Sequence, residues 1–288
     1  MHLITTYKRY KKISSLSSDI DKLLHGNENI DLSSYAEGEL AILQDEVYKM
    51  TVRLREQREE LKKDKLYLAD SIADISHQLR TPLTSMNLVA SLLSKEGLTY
   101  EERRGLVNEL YTMLARMDWL VASLLKLSKL DAGTVVMQQK KIYLKELVRK
   151  ASDPLDIALD IRGLALKVKV EEEASFIGDL AWTAEALGNL LKNAMEHSSA
   201  GGEILVEGIE NTIYTEITIK DQGKGIDSED LPHLFERFYK GRNSGEQSIG
   251  IGLALARTIV SNQNGTIKVE NNRDRGAKFT IRFYKGAV

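Results

Sequence analysis

The chain has no cysteine, which excludes disulfides, cysteine zinc sites and thiol catalysis and fits a reducing compartment. Only three prolines occur, Pro82, Pro154 and Pro232, so long helices meet few obstacles. No apolar run approaches the ~20 residues that a membrane helix needs. The opening string M-H-L-I-T-T-Y-K-R-Y-K-K carries no signal-peptide pattern. Neither sign of charge dominates: the net charge is −2, which gives no general reason to bind nucleic acid, and none is expected as a partner. No G-x-x-x-x-G-K-[S/T] string exists, which excludes a P-loop. The pair Gly250 and Gly252 lacks the third glycine of a dinucleotide fingerprint. What remains is 288 residues, 42% hydrophobic and 28% charged, a globular composition with room for one or two domains with real cores.

The first half reads as helix. Ile13 to Asp31 forms one amphipathic run, broken at H-G-N-E-N. A second run places Leu40, Val47, Leu54, Leu61, Leu68 and Ile75 at seven-residue spacing. Leu43 and Met50 fill the alternate position, but Gln57, Asp64 and Ser71 follow there, so this coiled-coil register weakens along its length. It leads into a helix whose buried face is Leu68, Ile72, Ile75, Leu79, Leu83, Met86, Ala90 and Leu93. His77 falls about 160° from the centre of that face. Asp70, Asp74 and Thr81 share its side, and Pro82 removes a backbone donor and is expected to bend the helix there.

After a turn at S-K-E-G-L-T-Y, Thr99 is a suitable N-cap with Glu102 three residues on. Leu106, Leu110, Met113, Met117, Leu120, Leu124 and Leu127 form a stripe that Leu114, Val121 and Leu125 widen. A helix this broadly apolar wants more than one partner. Two hairpins packed as a four-helix bundle bury both stripes, so a homodimer is expected. Gly133 terminates the helix. From Thr134 the period changes to two: Leu164, Leu166, Val168 and Val170 alternate, as do Ile213, Thr215, Ile217 and Ile219, and Phe279, Ile281 and Phe283. Helical stretches lie between, giving a mixed α/β layer.

Five strings carry a resemblance. S-H-Q-L-R-T-P-L, from Ser76 to Leu83, resembles the phosphoacceptor box of sensor histidine kinases, usually S-H-E-L-R-T-P-L. L-G-N-L-L-K-N-A-M-E-H (Leu187 to His197), D-Q-G-K-G-I (Asp221 to Ile226), F-E-R-F-Y-K-G (Phe235 to Gly241) and S-I-G-I-G-L-A-L-A (Ser248 to Ala256) follow in order. These four resemble the ATP-lid domain shared by histidine kinases, type II topoisomerases, mismatch-repair ATPases and a heat-shock chaperone. R-G-A-K-F at Arg275 to Phe279 resembles the final glycine box, and the likeness covers about Leu66 to Phe283. E-G-E-L at Glu37 to Leu40 loosely resembles a HAMP signalling module; a plain dimerising coiled coil is the alternative.

The resemblance implies an α+β multidomain chain. A HAMP-like or coiled-coil segment takes 1–60, a dimeric four-helix-bundle hairpin for dimerisation and histidine phosphotransfer takes 61–133, and an α/β sandwich ATP-lid (Bergerat-type) domain takes 134–288. It implies an autophosphorylating kinase that moves phosphate from ATP to His77 and on to an aspartate of a response regulator receiver domain. A phosphatase activity through Thr81 goes with it. The basic start looks like the cytoplasmic flank of a membrane helix, so a membrane sensor region is expected upstream, with this piece at the cytoplasmic face of the cell membrane.

Carried residue by residue, the resemblance makes Asn193 the Mg²⁺ ligand, with Asn189 facing the phosphates. Both stand on one helix face, and a neutral amide oxygen ligates Mg²⁺ without adding charge. Asp221 takes the adenine amino group, and Gly223 and Gly225 let the backbone approach the base. Gly250, Ile251, Gly252 and Leu253 open a helix whose amides hold phosphate oxygens. Lys192, His197, Ile226, Phe235 and Phe238 complete the nucleotide site. Arg237, Lys240 and Arg242 are candidate phosphate partners or solvated surface, beside a lid spanning Tyr239 to Ser248.

Gln78 departs from the usual acidic residue. An amide is no general base, but its oxygen can accept the far imidazole N–H and fix the tautomer that attacks. Glu196 stands where a basic residue is frequent and Ser248 where a glycine is frequent. Two other readings remain at this point: an ATP-driven clamp of the same superfamily, and a catalytically dead dimeric scaffold.

Overall fold

The structure, a computed structural model, describes residues 6–7, 10–11, 14, 39–242, 249–272 and 275–286. The helix expected between Ile13 and Asp31, the E-G-E-L string and residues 243–248 of the expected lid lie largely or wholly outside that set. Contacts divide the chain into two compact units, Met1–His77 and Gln78–Val288.

In the first unit the described structure is chiefly the first part of α1, a helix from Glu39 to Leu93 that runs without interruption through Pro82. Among the described residues its heptad side chains are left largely uncovered: Leu54, Leu61 and Leu68 are 58–69% exposed, and Ile72 beside them is 55% exposed. The Lys49 ammonium is shared between Asp45 and Glu46 one turn earlier.

The second unit holds the end of α1, the helix α2 (Tyr100–Asp131) and the sheet domain. Thr99 starts α2 with a full capping box: its hydroxyl accepts from the Glu102 N–H, and the Glu102 carboxylate accepts from the Thr99 N–H. Gly133, at φ +62°, ends it in the left-handed conformation.

The remaining elements are β1 (Lys140–Tyr143), α3 (Leu144–Ser152), α4 (Asp156–Arg162), β2 (Ala165–Val170), β3 (Ser175–Gly178), α5 (Leu180–His197), β4 (Glu203–Glu210), β5 (Tyr214–Lys220), α6 (Gly252–Ser261), β6 (Gly265–Asn271) and β7 (Ala277–Tyr284). One sheet has the order β2-β4-β5-β7-β6, with only β2 and β4 parallel; β1 and β3 pair separately, antiparallel. Alternation does what period two requires. Ile204, Val206, Ile217, Ile219, Phe279 and Ile281 are buried with Leu187, Leu190, Leu255 and Ile259 of α5 and α6. The opposite residues carry ion pairs, Lys220 with Glu207 and Arg282 with Glu216.

Two expected strand positions differ. Ile213 lies before β5 and is 64% exposed, because Asn211 folds the preceding turn by accepting the Ile213 and Tyr214 N–H groups. Val168 is 47% exposed, as β2 is an edge strand.

The α2 stripe is divided between two uses. Leu120, Leu127 and Leu130 are buried in the core that includes α6, whereas Leu114, Val121 and Leu125, on the adjoining face, are 44–59% exposed. Part of the face expected to build the bundle therefore packs on the sheet domain.

Candidate functional site

The site grows from the C-terminal half of α5. Asp179 caps this helix by accepting from Ala181 and Trp182, and also accepts from the Gln138 N–H. Burial works against its ionised form, but these N–H groups and Lys150 more than offset that and hold its carboxyl below the ordinary value. With the start fixed, Leu187, Leu190, Leu191 and Ala194 face the core, and Asn189 and Asn193 face outward into a cavity of about 620 Å³. Lys192, Glu196 and His197 line it as well.

Asp221, just past β5, forms the floor. It is 3% exposed, and burial pushes its carboxyl up. The N–H groups of Gly223 and Ala277 both donate to Oδ1, at 2.8 and 3.1 Å. The turn is shaped by glycine where it must be. Gly276 has φ +86°, and a Cβ there would lie 2.1 Å from the Asp221 carbonyl oxygen. Gly223 does not line the cavity; it lets the turn pass the end of α5, since a Cβ would meet the His197 carbonyl at 2.4 Å. Gly225 and Ile226 do line it. Asn271 clamps Ile226 on both sides, accepting its N–H and donating to its carbonyl, each at 2.7 Å.

The far wall is the entry to α6. Gly250, Gly252 and Leu253 line the cavity, while Ile251 is fully buried behind it. Phe235 and Phe238 pack against the core instead, and the Phe238 N–H donates to the Gly250 carbonyl at 2.9 Å. Asn189 stands against Gly252, and its Nδ2 is a buried side-chain atom without a hydrogen-bond partner among the described residues. Leaving such a donor unmet costs about 1–3 kcal/mol. An acceptor oxygen of a ligand at this helix N-terminus would meet it.

The three candidate cations separate. Lys240 lines the cavity. Arg237 does not; its Nη2 donates to both oxygens of Asp131 at the end of α2, at 2.7 and 2.6 Å. Arg242 also stands outside the lining, paired with Glu229 and with Asp227 at 3.7 Å. His77 and Thr81 are exposed on α1, one turn apart on the same side, and Gln78 is half-buried.

The sequence reading missed a wall made by α2: Thr112, Met113, Arg116 and Trp119 line the cavity. The Lys192 ammonium sits 4.9 Å from the Trp119 ring centroid. A signal was present, since Arg116, Trp119, Ser123, Lys126 and Leu130 recur at helical spacing beside the leucine stripe. Asp230 was also missed. It is buried, accepts from the Tyr239 hydroxyl and the Arg242 N–H, and is held below the ordinary carboxylate range chiefly by the Tyr239 hydroxyl.

Comparisons with known proteins agree with this arrangement. Residues 67–133 match the model of the His Kinase A (phospho-acceptor) domain, and residues 178–286 match that of the histidine kinase-, DNA gyrase B- and HSP90-like ATPase. The chain is 30% identical to the heme sensor protein HssS of Staphylococcus saprophyticus, over 98% of this chain and 59% of that protein. It is 27% identical to the sensor histidine kinase YclK of Bacillus subtilis, over 94% of this chain and 58% of that protein. It thus spans about three-fifths of the length of these relatives. The fold is shared with the Acinetobacter baumannii histidine kinase AdeS, at a TM-score of 0.60 and 23% identity over 73% of this chain and 98% of that one. It is also shared with histidine kinase ThkA, solved in complex with response regulator protein TrrA, at a TM-score of 0.65 and 22% identity over 83% of this chain and 67% of that one. With the phospho-acceptor model on the hairpin that carries His77, and the ATPase model on the domain that holds the cavity, the chain belongs to the sensor histidine kinases of two-component systems.

Proposed function

We propose that the cavity binds ATP and that the γ-phosphoryl group is transferred to His77. The observation that carries the reading is one cavity joining a buried carboxylate, Asp221, to an unmet amide, Asn189, at the N-terminus of α6. The two ends suit the two ends of a nucleotide: an acceptor for an adenine amino group, and donors for phosphate oxygens. Asn193 is the residue for Mg²⁺, which supplies charge neutralisation to the triphosphate when bound. Lys192 and Lys240 also line the cavity and add positive charge to it.

A neutral imidazole nitrogen of His77 attacks phosphorus, the bond to the β–γ bridging oxygen breaks, and ADP leaves. The other nitrogen keeps its proton during attack, with the Gln78 amide oxygen as its acceptor, and releases it to solvent afterwards. The phosphoryl group then passes to an aspartate of a response regulator, and Thr81, one turn on, orients a water that hydrolyses this acyl phosphate and releases inorganic phosphate. The exposed stripes of α1 and α2 support a homodimer, in which a second copy covers Leu68, Ile72, Leu114 and Val121. We place the segment before residue 61 as a HAMP-like or coiled-coil relay, 61–133 as the phosphotransfer hairpin and 134–288 as the ATP-binding domain. The whole belongs on the cytoplasmic face of a membrane sensor; among the described residues no helix is long and apolar enough to cross a membrane.

The test is incubation with γ-labelled ATP and Mg²⁺, comparing the parent with His77→Ala. Label that is acid-labile, alkali-stable and absent from the variant supports the kinase. Nucleotide binding without label favours a clamp, and no nucleotide binding favours a scaffold.

A further inference from the structure

The α2 wall brings to the cavity a cation that lies outside the ATPase-matching residues 178–286. Arg116 is half-buried and lines the cavity together with Lys240, which comes from the chain beyond Tyr239. Among the described residues Lys240 has no ion-pair partner. Five acids line the cavity with them: Asp230 accepts from the Tyr239 hydroxyl and the Arg242 N–H, Asp221 accepts from two backbone N–H groups, Asp227 lies 3.7 Å from Arg242, Glu196 faces Lys192 at 4.0 Å, and Glu109 stands on α2 two turns before Arg116. The crowding is felt, because partial burial and then the Arg116 guanidinium lower the Lys240 ammonium from its ordinary value. Two cations held in one cavity repel, and an anion between them turns the repulsion into two attractions.

The position of Arg116 is braced along the part of α2 that follows it. Trp119, one turn further on, stacks with Lys192, and the end of α2 is tied to the sheet domain by Lys126 with Glu185 and by Asp131 with Arg237. We propose that Arg116 of the hairpin is a phosphate-binding residue of the nucleotide site, acting opposite Lys240. A guanidinium suits this task because its fork of donors matches phosphate oxygens. The inference rests on the nucleotide reading of the cavity and adds to it a ligand from outside the ATP-binding domain. Nucleotide affinity then depends on α2 being docked, and by linkage bound nucleotide favours docking.

The experiment is calorimetric titration of the full chain with adenosine, ADP and ATP in Mg²⁺, for the parent, Arg116→Ala and Arg116→Lys. Arg116→Ala is expected to bind ADP and ATP about tenfold more weakly, the scale of one lost charged hydrogen bond. Adenosine binding is expected to be unchanged, and Arg116→Lys to recover part of the loss. Should Arg116→Ala fail to fold, Arg116→Gln keeps the apolar stem and a polar tip without the charge, and gives the same comparison. Unchanged ATP affinity in the variant overturns the proposal while leaving the nucleotide site standing. An equal loss for adenosine and ATP also overturns it, since that marks a structural role. A parent that binds none of the three overturns the nucleotide reading, and this proposal with it.

Discussion

Glu185 on α5 grips the ammonium of Lys126 on α2 with both carboxylate oxygens, each at 2.6 Å. The two side chains keep 29% and 40% of their exposure, so the pair sits at the rim of the α2 contact, where water screens it. Its coupling in a double-mutant cycle of Lys126→Ala and Glu185→Ala is expected to be about 0.5 kcal/mol, and to fade towards zero in 1 M salt. Denaturant unfolding at low and high salt measures both. The apolar contact of Leu120, Leu127 and Leu130 stays in the doubly substituted chain, so unfolding remains cooperative.

The buried carboxyl of Asp221 is a stability cost, which its proposed role in nucleotide binding accounts for. Burial raises its carboxyl above the unfolded value of 3.8, so between the unfolded and folded values the native state holds more protons than the unfolded one. The group therefore weakens the fold as pH rises through that window, and the full penalty stands above it. Asp221→Asn keeps an oxygen for the Gly223 and Ala277 N–H groups and removes the buried charge. The variant is expected to melt higher than the parent at pH 7, with the gap closing as pH falls towards 3.8, and to lose ATP affinity because an amide N–H₂ opposes the adenine amino group. Thermal unfolding across pH, paired with nucleotide titration, checks the two halves separately.

Glycines in the two helical and turn contexts differ in sign. At Gly276, positive φ and a Cβ 2.1 Å from the Asp221 carbonyl make Gly276→Ala costly, by more than about 3 kcal/mol. At Gly105, inside α2 and exposed, a Cβ has nothing within 4 Å, and Gly105→Ala is expected to stabilise by about 0.5–1 kcal/mol. Chemical denaturation of both variants decides this.

Under the proposed mechanism, Gln78 limits the rate of phosphorylation. If an amide here only fixes a tautomer, Gln78→Glu supplies the missing base and raises autophosphorylation by about tenfold or more, against the 10²–10⁴ range of general-base contributions. Single-turnover labelling with saturating ATP measures the step. No rise means the proton on the second nitrogen does not limit the rate.

The parts legible in the sequence are those with a strict period or a fixed string. The seven-residue leucines gave α1, the Thr99 and Glu102 pair gave the start of α2, and the alternation from Thr215 to Ile219 and from Phe279 to Phe283 gave the two central strands. Asn189, Asn193, Asp221, Gly250 and Gly252 were legible as strings, and the structure brings all five to one cavity. What escaped was tertiary. That Arg237 turns to Asp131, 106 residues earlier, is invisible to any local pattern. So is the Asn271 clamp on Ile226, whose partners are 45 residues apart. The role of α2 was half visible: its breadth called for more than one partner, but nothing in its own residues says that one of them lies in the same chain.

That breadth fixes the length of α2. One face meets α6 and the cavity, and the adjoining face, with Leu114, Val121 and Leu125, is exposed and is the one proposed to meet a second copy. A single inserted residue turns everything beyond it by about 100° and exchanges one face for the other. Seven residues restore the phase to within about 20° but slide the two faces out of step along the axis by about 10 Å. Lineages descended from this chain are therefore free to drift at many α2 side chains while gains and losses of residues are purged, so the spacing from Thr99 to Gly133 should outlast most of the residues that fill it.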